Sequence, residues 1–177
     1  MPTLKEPQSV KLVVALLGAN PDGLERGLAL LCREFGATDA VSDSFPFDHT
    51  RYYEKELGPT PVRRLAAFTE LIPRTALPDL KNRARELEQS LSESGRRSVN
   101  LDPGYLTTGQ FFLASTKDQR QSVYVRDGIY VEPTLYYRDG NFHPFEWTYP
   151  DYASGAYFGF LEKTRSTYLR QLRENTQ

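Results

Sequence analysis

The sequence predicts an α+β fold, on three observations. Val10 to Leu17 is an unbroken apolar run, the pattern of a central strand buried on both faces. Two stretches with apolar residues at helical spacing alternate with strand-like runs up to residue 101. Ser122 to Tyr152 holds Arg-Asp-Gly twice, each copy between runs of β-branched and aromatic residues, which predicts a three-stranded antiparallel meander.

Taken in order, residues 1–9 are polar and read as a loose lead-in, with 10–177 as one domain. After the first strand, Gly18-Ala19-Asn20-Pro21-Asp22 is turn chemistry. A helix follows, because Leu24, Leu28, Leu31 and Phe35 share a face and Gly36 suits a C-cap. Ala40–Phe47 and Val62–Ile72 read as the second and third strands. Leu77, Leu80, Ala84, Leu87 and Leu91 mark a long amphipathic helix ending at Gly95. Arg97–Leu101 reads as a fourth strand, closed by a turn at Asp102-Pro103-Gly104. The order β-α-β-β-α-β is that of a ferredoxin-like half. Tyr105–Thr116 suits a short helix or a strand equally. Beyond the meander, Tyr157, Leu161, Thr164, Tyr168 and Leu172 share one face of a closing helix over Ala156–Arg173.

Side-chain alternation selects a register for the meander. A three-residue loop, Arg126-Asp127-Gly128, pairs Val125 with Ile129 and Val123 with Val131, gathering four aliphatics on one face. The same loop at Arg138-Asp139-Gly140 sets Phe145 opposite Pro133 and Trp147 opposite Val131. Glu132 then faces Glu146 directly, and two carboxylates at that separation need a cation, a proton or a basic side chain between them.

Composition narrows the function classes. The formal net charge of −1 supplies no global field for nucleic acid or an anionic membrane. Cys32 is the single cysteine, so no internal disulfide forms. The N-terminus lacks a long apolar segment before a cleavage site, and no run approaches membrane-spanning length; the expected location is the cytoplasm. Aromatic residues at 12% fit a β-rich core.

No phosphate-cradling Gly-x-x-x-x-Gly-Lys-Ser/Thr and no Gly-x-Gly-x-x-Gly is present. Thr116-Lys117-Asp118 lacks the Asn and spacer of a guanine-reading motif. His49 and His143 could join Asp48, Glu54 or Glu56 around a metal, but no spaced histidine pair supports it, and no metal-ligand set is assigned. Arg63 and Arg64 are strand neighbours pointing to opposite faces, so at most one serves a given site. Asn100 and Asp102 share a strand face beside the Pro-Gly pair, a place where ligand sites often form.

Together FPFDHTRYYEKELG (45–58), RRLAAFTELI (63–72), VNLDPGYLT (99–107), LASTKD (113–118), DGIYVEPTLYY (127–137) and EWTYPDY (146–152) resemble a bacterial family known as domain of unknown function 4416. The resemblance covers about Val10 to Leu172. It implies an intracellular protein of this size, with no established activity to carry over. Members often bear an automatic GTP-binding label, which these residues do not support. Asp48, Tyr53, Arg64, Asn100, Asp102, Lys117, Asp118, Glu132, Glu146 and Trp147 match the family pattern. Leu57 stands where a Met or small apolar residue is usual, and Arg126 and Arg138 replace other turn residues.

The expectation is a cleft for a small polar or nucleotide-like ligand, built from Asp48, Tyr53, Arg64, Asn100, Asp102, Tyr105, Lys117, Asp118, Glu132, Glu146 and Trp147. A metal-dependent phosphohydrolase using the carboxylates and a protein-interaction module using the aromatic face are the alternatives. The sequence names no cofactor and no oligomeric state.

Overall fold

Every residue of β1 (Val10–Gly18) is buried, as a run this apolar requires at the centre of a sheet covered on both sides. The computed structural model describes residues 3–92 and 96–175. Asn20 opens α1 (Pro21–Phe35): its side chain accepts from Gly23 N at 2.9 Å, and Pro21 fills a first-turn position that needs no donor. Gly36 ends the helix at φ 92°. Next come β2 (Thr38–Val41), β3 (Phe45–Pro46), the single turn α2 (Glu54–Leu57) and β4 (Val62–Ile72). Then follow α3 (Leu77–Ser90), β5 (Val99–Leu106), β6 (Gln110–Ser115), β7 (Val123–Arg126), β8 (Ile129–Arg138) and β9 (Asn141–Pro144). The short α4 (Pro150–Ala153) and the long α5 (Phe158–Glu174) close the chain. Gly95, the expected end of α3, lies outside the described residues.

The described strands form one antiparallel sheet in the order β2-β4-β1-β5-β6-β8-β7, with β3 against β4 and β9 against β8. On one face Leu12, Val14 and Leu16 pack against Leu24 and Leu31 of α1 and Ala84 and Leu87 of α3. On the other, Val13 and Ala15 meet Tyr152, Tyr157 and Leu161 at α4 and α5. Each such leucine removed from water contributes roughly 1.5–3 kcal/mol. Lys11 is fully buried on the α5 side. Its ammonium is satisfied by the Asp39 carboxylate and, at 2.9 Å, by Gln171 Oε1.

One expectation fails at β5, and an open one is decided at β6. Asp102-Pro103-Gly104 is not a turn but the middle of β5. Leu101 N points away from β1, to a side chain of α3, so the nitrogen of Pro103, two residues on, points the same way and no ladder donor is lost. Residues 110–115 resolve to a strand paired with β8 rather than a helix.

The meander register also differs. Both hairpins turn on two residues, Asp127-Gly128 at φ 54° and 74° and Asp139-Gly140 at φ 51° and 82°, the positive pair that matches strand twist. In the first hairpin Val125 bulges, so Arg126 faces Ile129 while Val123 still faces Val131. Val123 and Val125 are exposed and Ile129 is buried, so the four aliphatics do not share one buried face. In the second, Arg138 pairs with Asn141 and β9 stops at Pro144. Glu146 therefore never reaches Glu132; it lies exposed against Arg120. β6 occupies one edge of β8, so β7 and β9 lie end to end along the other instead of flanking it. A Gly140→Ala variant should lose about 1–2 kcal/mol in urea unfolding, because an L side chain resists φ 82° there.

Candidate functional site

β5 and β6 pair only over Gly104–Leu106 and Phe111–Leu113. Before Gly104 the strands part, and the sheet splits. A cleft of about 580 Å³ opens in the split. Its construction begins with the edge of β5 that β6 leaves unpaired. Leu101 N donates to Glu88 Oε1 at 2.6 Å, and Leu101 O accepts from Lys81 Nζ at 3.1 Å. Two α3 side chains thus replace the missing strand, meeting the rule that buried backbone groups are paired.

Lys81 also donates to Asp102 Oδ1 at 2.9 Å, and Asn100 Nδ2 donates to Asp102 Oδ2 at 2.6 Å. Asp102 keeps 24% exposure, toward the cleft. Burial would raise its carboxyl, but the charges of Lys81 and Arg63 and the two hydrogen bonds outweigh that and hold it below the usual carboxylate range. Burial is the stronger influence at Glu88, which is pushed up despite Lys81, Leu101 N and Arg97. Arg97, just ahead of β5, joins Glu88 Oε2 at 3.0 Å to Glu56 Oε2 at 2.6 Å, tying α3 to α2.

Arg63 of β4 lies in the cleft wall, 4% exposed. Its Nη1 is 3.7 Å from Asp102 Oδ2 and its Nη2 3.5 Å from Asp151 Oδ2, ion-pair separations too long for good hydrogen bonds. Among the described residues, its Nε and Nη1 have no hydrogen-bond partner, and neither has the buried hydroxyl of Tyr152. Burial works against the Arg63 charge, and the carboxylates of Asp151 and Asp102 favour it.

The β6–β8 wall supplies Glu132, 2% exposed, which accepts from Ser122 Oγ at 2.7 Å and Tyr149 Oη at 3.2 Å. Burial first, then Glu132, pushes the Tyr149 phenol up; burial and Asp102 do the same at Tyr53. Both therefore remain hydrogen-bond donors at neutral pH. His49, Tyr52 and Tyr53, ahead of α2, close the mouth, with Lys117 stacked 4.6 Å over the Tyr52 ring.

Of the expected residues, the cleft gathers Tyr53, Asn100, Asp102, Lys117 and Glu132. Asp48 projects into solvent. Arg64 faces the other side of β4 and pairs with Glu25, so Arg63 is the inward member of the pair. Tyr105 is packed with Val10, Leu77 and Phe112 on the opposite side of β5. Asp118 lies against Tyr130, and Glu146 is held at the surface. Trp147 has a structural place: its Nε1 donates to Pro133 O at 2.8 Å. The sequence offers Arg63 only as the alternative to Arg64, and it gives no place in the site to Lys81, Glu88, Asp151 and Tyr152. Lys81 and Glu88 left one signal: they fall on the Leu77–Ala84 row at i, i+4, i+7 and i+11, where a charge needs a partner.

The sequence matches the family described as domain of unknown function (DUF4416) over residues 8–168. The chain belongs to this family. The span matched by the DUF4416 family runs from the lead-in to β1 into α5 and includes every cleft residue. No curated protein and no solved structure matches the chain significantly. Among the described residues, no three His, Cys, Asp or Glu side chains converge as a metal-binding group, and no helix is long and apolar enough to cross a membrane.

Proposed function

We propose that this DUF4416 member is a cytoplasmic protein that binds a small polar, nucleotide-like ligand in the split-sheet cleft. The observation that carries the reading is Arg63, a buried cation with two uncommitted donors in the cleft wall. A buried group of this kind is costly unless something pairs with it. Five basic and four acidic side chains line the same cleft with several tyrosines, which suits a ligand with both donors and acceptors. The frame supports a ferredoxin-like reading of the first half: β2-β4-β1-β5 is the strand order that two interleaved split βαβ units produce.

Titration calorimetry with AMP, GMP, CMP and UMP tests this. At least one should bind, and Lys117→Ala should weaken it, because Lys117 has no carboxylate partner among the described residues. Arg64→Ala, outside the cleft, should leave binding unchanged. GTP should bind no better than ATP, since no guanine-reading motif is present. Absence of binding by every nucleotide, or equal loss in both variants, overturns the reading.

A further inference from the structure

Arg63 stands between two acids, Asp102 at 3.7 Å and Asp151 at 3.5 Å. Lys81 answers Asp102 from the far side. Arg63, Lys81, Asp102 and Asp151 therefore balance, two positive and two negative, and Glu88 and Glu132, both buried, add further acid to the same lining. A phosphate placed against Arg63 would also be placed against two carboxylates. A neutral hydroxyl would not meet that repulsion, since it donates one hydrogen bond and accepts others. Both capacities are present here. Arg63 Nε, Arg63 Nη1 and the Tyr152 hydroxyl, itself on a residue 2% exposed, have no partner among the described residues. Tyr152 lines the same cleft as Arg63 and the two acids, so the three orphan groups belong to one lining with Asp102 and Asp151.

We propose that the floor of the cleft, Arg63 and Tyr152 with Asp102 and Asp151, binds the vicinal diol of a phosphorylated sugar, as in a ribonucleotide. This rests on the cleft being a ligand site. Each hydroxyl donates to a carboxylate and accepts from Arg63 or Tyr152. The phosphate is taken at the rim by Lys117 and Arg85, neither of which has an ion-pair partner among the described residues.

The test pairs the four ribonucleoside monophosphates with their 2′-deoxy counterparts, and ribose 5-phosphate with 2-deoxyribose 5-phosphate, by titration calorimetry. Removing one hydroxyl should weaken binding about tenfold in whichever pair binds. A loss below about threefold overturns the diol while leaving the cleft reading intact. Failure of every compound to bind overturns both. Tyr152→Phe is the protein-side test. It deletes a hydroxyl without a partner, so the melting temperature should not fall, yet ribonucleotide affinity should drop at least about threefold. Unchanged affinity in that variant overturns the proposal.

Discussion

Gly104→Ala is expected to cost at least about 4 kcal/mol, or to abolish soluble folding. A β-carbon there would lie 2.2 Å from Phe112 O and 3.0 Å from the Leu113 side chain. The first obstacle is backbone, which cannot rotate away, so β5 and β6 must separate. Their ladder spans only three residue pairs, and Gly104 makes the last before the sheet splits. The strain therefore falls where few hydrogen bonds resist it. Gly109→Ala in the connecting turn is the control. Its added methyl meets nothing within 4 Å, and its cost should stay below about 1 kcal/mol. Urea unfolding of the two variants checks this; similar midpoints would refute the steric account.

Lys81→Met should destabilise the protein by about 3 kcal/mol at neutral pH. Two groups lose their partner together: Leu101 O, which has no strand to turn to, and Asp102, which retains Asn100 and a distant Arg63. The pH dependence gives the sign. Asp102 is held below its ordinary range in the fold, so its contribution is present above that range and is lost as pH falls through the folded value. Without Lys81 there is less to lose. The difference between wild type and variant should be widest at neutral pH and narrow on acidification below the usual aspartate range. Glu88 runs the other way, since its raised carboxyl favours the fold only as it gains a proton. Denaturant midpoints collected across the acidic range separate the two; a gap that widens toward acid would contradict the assignment.

How much of this was legible in the sequence depends on which force decides each element. β1 and α1 are set by apolar pattern and capping, both local, and they lie where the pattern put them. Pro103 and Gly104 usually end strands, so the sequence predicts a β5 that stops at Leu101. Here the proline nitrogen faces a gap and the glycine admits the Phe112 carbonyl, two facts fixed by a strand residues away. Alternation in β4 says that one of Arg63 and Arg64 turns inward but not which; that depends on Leu65 and Ala67 packing toward α5. Side-chain alternation favours a three-residue loop, which sets Glu132 opposite Glu146, whereas positive φ at both Asp and Gly tightens each turn by one residue. The inward acids and bases were hidden for the same reason: their partners are far apart in sequence, as Lys81 and Asp102 are across α3 and β5.

The irregularity in β8 has an arithmetic consequence. Phe111 pairs with Leu135 but Phe112 with Pro133, so Thr134 is an extra residue. Its carbonyl and that of Pro133 are taken by Thr148 Oγ1 and Trp147 Nε1. A strand has a parity of two, and Glu132 and Leu135, three apart, belong to opposite parities. The extra residue shifts the phase between them, so both face the same side of the sheet as Phe111 and Leu113. One continuous strand thereby carries an acid into a polar cleft and, a few ångströms on, a leucine into a dry core. A single-residue deletion at Thr134 would restore the parity and force one of the two onto the wrong side. The binding half and the packing half of β8 are thus written in different phases, joined by one inserted residue.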